Sequence, residues 1–178
     1  MTDLPVSDAI RGLRADAAVA GGQVQLLLAG LDEITVVISA AYYQETPEAT
    51  MAGDLARAVR LLMAHREEAV RAAGLHSDVT LVAGSRLAEE LEAFNREADE
   101  WTAEVSAPDG CARLATVGMR EFTVDIEPGT RTRHSVEQFC DHAAAVGTEL
   151  VRQRVQATMR QRVEYAAREQ DARVLGLL

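Results

Sequence analysis

Residues 22–38 and 110–126 are two versions of one pattern, and this repeat limits the possible folds more than any other feature of the chain. The first reads GQVQLLLAGLDEITVVI and the second GCARLATVGMREFTVDI, 88 residues apart with no gap. Seven of the 17 positions are identical: Gly22/Gly110, Leu26/Leu114, Gly30/Gly118, Glu33/Glu121, Thr35/Thr123, Val36/Val124 and Ile38/Ile126. Unrelated segments of this length would share about one or two, so the chain contains the same structural unit twice.

Each copy predicts a β-hairpin. Val24, Leu26 and Leu28, then Ile34, Val36 and Ile38, alternate with more polar neighbours around a turn at Gly30. Ala112, Leu114 and Thr116, then Phe122, Val124 and Ile126, repeat that alternation around Gly118. Period-two alternation broken by glycine is the hairpin signal, and it leaves one apolar face that needs a cover. The cover follows in sequence. After the first hairpin, Thr46 reads as an N-cap with Pro47 in the first helical position. Met51, Leu55, Val59 and Leu62 then recur at helical spacing, and Gly74 reads as the stop. After the second hairpin, Ser135-Val136-Glu137-Gln138 is a capping box. Phe139, Ala143, Val146 and Leu150 form its stripe, and the helix is expected to run to about residue 169.

A helix and a short strand also precede each hairpin. Ser77 to about Glu100 carries Leu87, Leu91, Phe94 and Trp101 in a heptad-like stripe suited to packing on another helix, and a strand follows from Trp101 to Ser106. In the first copy only Val6–Leu13 and Arg14–Ala18 stand at this place. The expected division is a truncated first unit over residues 1–75 and a second over 76–178.

The stretch EVSAPDGCARLATVGMREFTVDIEPG followed by a long amphipathic helix resembles the YbaB/EbfC family. The shared features are a helix, a three-stranded meander around a glycine turn, a V-x-I-x-P third strand (Val124-Asp125-Ile126-Glu127-Pro128) and a closing helix. The likeness spans about residues 80–165, with a weaker copy over 6–73 where Ala40 replaces the proline. It implies an α+β fold built from YbaB-like helix–three-strand meander–helix units. Relatives are dimers of one unit per chain, so two units here imply an intrachain pseudo-dimer. Many members are nucleoid-associated DNA-binding proteins, and related proteins accompany type VII (ESX) secretion systems.

Charge qualifies the DNA expectation. The net charge is −10, and all 18 basic residues are arginine. Residues 1–110 hold 8 arginines against 19 acids, whereas residues 111–178 hold 10 against 9. Any phosphate-binding surface therefore has to come from a local cluster. The candidates are Arg131 and Arg133 after the third strand, and Arg152, Arg154, Arg160 and Arg162 along the closing helix. Such a group would bind DNA weakly, with steep salt sensitivity and little sequence preference. The favoured reading is this DNA-binding role; the alternative is a protein-interaction or chaperone-like accessory module that binds no DNA. The Leu87, Leu91, Phe94 and Trp101 stripe is then the candidate interface for self-association or for a partner.

No catalytic residue, metal or cofactor is expected. The chain has no glycine-rich phosphate loop, no G-x-S-x-G and no H-E-x-x-H. Cys140 and His142, two apart on one helix, point in nearly opposite directions and cannot share a metal. Cys111 falls on the Gln23 side of its strand and is expected at a surface or interface position. Two cysteines are too few for a disulfide framework, and no apolar run is long enough to span a bilayer, so a cytoplasmic protein with reduced thiols is expected.

Overall fold

A computed structural model describes residues 10–73 and 86–174, with no account of the side chains of residues 86–91, 94, 162 and 165–174. Six strands form two antiparallel meanders. The first sheet contains β1 (Arg14–Val19), β2 (Val24–Ala29) and β3 (Glu33–Ile38) in that order. The second contains β4 (Thr102–Ser106), β5 (Ala112–Val117) and β6 (Glu121–Ile126) in that order. The helices are α1 (Ala40–Glu45), α2 (Glu48–Ala72), α3 (Arg86–Glu100), α4 (Thr130–Arg133) and α5 (Val136–Val174).

The 88-residue offset extends beyond the hairpins. It carries β2 onto β5 and β3 onto β6 residue for residue, and the first residue of α2 onto that of α5. Ladder register follows it as well. Val24 faces Ile38 as Ala112 faces Ile126, and Arg14 faces Ala29 as Thr102 faces Val117. The same alternation therefore buries the same positions: Val24, Leu26, Leu28, Ile34, Val36 and Ile38 in one copy, Ala112, Leu114, Thr116 and Phe122 in the other.

The two long helices cover these faces reciprocally. α2 packs on β1 and β2 of its own copy and on β6 of the other. α5 packs on β4 and β5 of its own copy and on β3 of the other. One continuous core results, with Met51, Leu55 and Leu62 of α2 and Phe139, Val146 and Leu150 of α5 all buried. Gly147 sits where α5 crosses β3, and a Cβ there would lie 3.2 Å from the Ile34 Cδ1. A narrow cavity between the sheets, flanked by Leu26, Val36, Leu114 and Phe122, is lined almost wholly by apolar side chains. It is a packing seam without the convergent polar groups that a ligand pocket uses.

Helix ends differ from expectation in two places. Thr46 does not cap α2; it closes α1, a six-residue helix whose own N-cap is Ser39, where Oγ accepts the Tyr42 N–H at 3.3 Å. Pro47 then precedes α2 with no side-chain cap. α5 continues past residue 169 to Val174, since nothing between Thr148 and Val174 is glycine or proline. The Ser135/Gln138 capping box forms as expected, with the Ser135 N–H on Gln138 Oε1 at 3.0 Å and the Gln138 N–H on Ser135 Oγ at 3.3 Å. The Gly74 stop, the segment from Ser77 to the start of α3, the Val6–Ala9 stretch and the boundary near residue 75 lie outside the described residues. No helix among the described residues is long and apolar enough to cross a membrane.

Candidate functional site

The expected phosphate-binding arginines are mostly engaged by the chain itself. Arg131 and Arg133 lie on α4 rather than in an open loop. The Arg131 guanidinium donates to the Gln44 carbonyl at 2.8 Å and stands 3.9 Å from the Glu48 carboxylate, both in the first copy. Arg133 pairs with Glu127. On α5, Arg152 contacts Asp32 at 3.2 Å and Glu149 at 3.1 Å. Arg154 is half-buried, with its guanidinium 5.4 Å above the Trp101 ring. Burial holds the Arg154 guanidinium below the ordinary arginine range, and it does the same to Arg66 across the core. Arg160 is exposed, and the Arg162 side chain lies outside the described residues.

The pairing acids Asp32 and Glu48 come from the first copy, more than eighty positions away, and no local pattern shows them. Glu48 does more than pair with Arg131: its carboxylate accepts the N–H groups of Gly129 and Arg131, both at 3.2 Å, and so caps α4 from the other copy.

The solvent faces of both sheets carry more acids than arginines, and Leu27, Val37 and Val117 are exposed there as well. Asp16 and Glu33 face out from the first, and Glu104, Glu121 and Asp125 from the second. The arginines on those faces are Arg14, bonded to the carbonyls of Arg11 and Leu13, and Arg113, paired with Glu104 at 3.4 Å.

Of the expected interface stripe, Leu87, Leu91 and Phe94 fall on α3, with side chains outside the described residues. Trp101 follows α3 directly and is half-buried beneath Arg154. α3 runs beside the outer part of α5, where Gln161 donates to Glu97 at 3.3 Å.

A second cluster was not expected. Cys111 is fully buried, whereas strand alternation reads it as a surface or interface position. β5 begins only at Ala112, so Cys111 belongs to the turn before it, where Gly110 takes a φ of 75° and breaks the alternation. The Cys111 sulfur lies 3.3 Å from His142 Nδ1. One oxygen of Asp109 lies 3.0 Å from His134 Nε2 and 3.5 Å from His142 Nδ1. Its other oxygen accepts the Cys111 N–H at 3.1 Å. That backbone bond, with the two histidines nearby, holds the Asp109 carboxyl below the usual carboxylate range. Burial, reinforced by the Asp109 carboxylate, pushes the Cys111 thiol up to about 12. Such a thiol is protonated at neutral pH and is a poor nucleophile. Cys140 points elsewhere and is only half-buried. Along the repeat offset Asp109, Cys111, His134 and His142 stand where the first copy has Gly21, Gln23, Thr46 and Asp54, a difference that most aligned positions also show, so no local signal marks the four as a site.

Compared with known proteins, the chain matches no family model, no curated protein and no solved structure.

Proposed function

We propose that the chain is a YbaB/EbfC-like intrachain pseudo-dimer that works without catalysis, as a protein-interaction module for a partner with a basic surface. The pseudo-dimer reading is supported by the offset shared across strands, registers and helix starts, and by the reciprocal packing of α2 on β6 and α5 on β3. Each copy covers part of the other, as the subunits of a two-fold dimer do.

The interaction reading rests on one observation above the rest. Arg131, Arg133 and Arg152, three of the six candidate arginines, already face carboxylates of this chain. Binding DNA would require exchanging those pairs for phosphate while the acidic sheet faces and the net charge of −10 repel the duplex. An acidic surface of this kind favours a cationic protein partner.

DNA binding is the competing proposal, and salt separates the two. Fluorescence anisotropy of a labelled duplex of about 30 base pairs, titrated at low and physiological salt, is the test. The expected result is no saturable binding at either salt. Micromolar or tighter binding that falls steeply with salt, and weakens in the Arg152→Ala/Arg160→Ala double variant, would overturn the interaction reading.

A further inference from the structure

We propose that Asp109, Cys111, His134 and His142 form a binding site for a divalent transition-metal ion of the zinc type. This reading is independent of the proposed interaction role.

The donor set is the first reason. One thiolate, one carboxylate and two imidazoles are the sulfur, oxygen and nitrogen donors that tetrahedral zinc takes, and the two anionic groups balance a divalent charge. Geometry is the second. Ligand atoms around tetrahedral zinc stand roughly 3.3–3.6 Å from one another, given the usual metal–ligand distances. Here Cys111 Sγ and His142 Nδ1 are 3.3 Å apart, and His142 Nδ1 and an Asp109 oxygen are 3.5 Å apart. All three donor atoms fall within 4.8 Å of one another. His134 Nε2 is 3.0 Å from that same Asp109 oxygen but stands outside this group of three, so it would complete the tetrahedron only by turning toward the ion.

Support for these donors is the third reason. Asp109 and Cys111 sit in the β4–β5 turn, His134 closes α4, and His142 lies in the second turn of α5. The Cys111 N–H fixes the rotation of the Asp109 carboxylate, the outer-shell restraint that metal ligands use. The two imidazoles are set edge to face, 5.4 Å between centroids. Unlike a packing cysteine, Cys111 is buried with its sulfur toward polar groups.

The repeat supplies an internal comparison. At the matching corner of the first copy only Asp54 could ligate a metal, and it accepts a hydrogen bond from Tyr42 instead. Gln23, the counterpart of Cys111, bonds Ser39. That corner is closed by hydrogen bonds within the chain; the second copy has metal-ligand residue types in all four places. With His134 turned in as the fourth donor the site would be closed and structural, a clasp tying the β4–β5 turn to α5.

Cobalt(II) titration of the full chain, after chelator treatment and removal of the chelator, tests this. The expected result is a one-to-one spectrum with a thiolate-to-cobalt charge-transfer band and the intense d–d bands of tetrahedral cobalt, bleached by added zinc. Cys111→Ser should abolish the charge-transfer band, and His142→Ala should weaken binding at least about tenfold. Cys140→Ser should change neither. Circular dichroism establishes that each variant is folded. Should Cys111→Ser fail to fold, His142→Ala decides alone, because that side chain is one-third exposed. A folded wild-type chain that gives no tetrahedral cobalt spectrum would overturn the site. So would a spectrum that persists unchanged in His142→Ala or vanishes in Cys140→Ser.

Discussion

Tyr42 shows how the first copy seals a corner with one polar contact. Its hydroxyl donates to Asp54 of α2, and its ring is half-buried. Burial first, and the Asp54 carboxylate second, push the phenol up from 10.0 to about 12. The sign follows from which form the fold prefers. The folded chain keeps this proton while an unfolded tyrosine loses it near pH 10, so the contribution to stability is complete below pH 10 and is lost as pH rises toward about 12. An alkaline absorbance titration should show late tyrosinate formation, to which Tyr43, also pushed up by burial, contributes, and which shrinks by one phenol in Tyr42→Phe. In Asp54→Asn the Tyr42 step should move to lower pH without reaching the ordinary value, because the burial remains. A Tyr42→Phe curve identical to wild type would refute the assignment. Neither Tyr42 nor the Asp109 cluster was legible in the sequence as a site. Both depend on residues brought together across a turn and a helix, whereas alternation and helical spacing report only on neighbours along the chain.

At the scale of elements, the matched hairpin turns have the same backbone and different surroundings. Gly30 and Gly118 take φ values of 63° and 60°. A Cβ on Gly30 would meet nothing within 4 Å, whereas one on Gly118 would lie 2.5 Å from the carbonyl oxygen of Asp99 at the end of α3. Gly118 also donates its N–H to the Trp101 carbonyl at 2.7 Å, so the turn is packed onto the α3–β4 junction. Gly30→Ala should therefore cost about 1 kcal/mol, the usual cost of a left-handed alanine. Gly118→Ala should cost about 3 kcal/mol or more, because two backbones must separate as well. Equal losses in chemical denaturation would show that the α3 contact contributes nothing. The hairpins, the capping box of α5 and both long amphipathic helices were readable because each rests on local periodicity or a local cap. α1 was not, since six residues give no period to read and the Ser39 cap lies in what looks like the end of a strand. The role of Glu48 was hidden for another reason: it caps a helix of the other copy, and local spacing holds no record of that.

For the molecule as a whole, the two copies complete each other. β6 lies under α2 and β3 under α5, and the Tyr43 ring of the first copy packs 5.4 Å from the Phe139 ring of the second. Neither half retains a full core if separated, because each loses the helix that covers its third strand. Residues 1–75 and 76–178 produced separately should therefore aggregate or self-associate, and co-expression should yield a one-to-one complex with the circular dichroism of the intact chain. Light scattering and mass analysis of the co-purified fragments check this; two halves that are each folded and monomeric would contradict it. The fold class and the repeat were legible because they are written in the pattern of each copy. The packing of helices across the two copies was an inference from the repeat, since no single segment encodes which sheet a helix will choose.

Reciprocal covering also sets an order of events during synthesis. The Ile34 N–H of β3 donates to Thr148 of α5, 114 residues further along. At ribosomal speeds of about 5–20 residues per second, the first sheet leaves the tunnel roughly 6 to 23 s before the helix that closes over its last strand. Throughout that interval Ile34, Val36 and Ile38 form an apolar edge with no partner from their own chain. Until α5 is made, that face is the kind of apolar surface that leaves incomplete chains prone to aggregate, and both copies are completed together by the last helix.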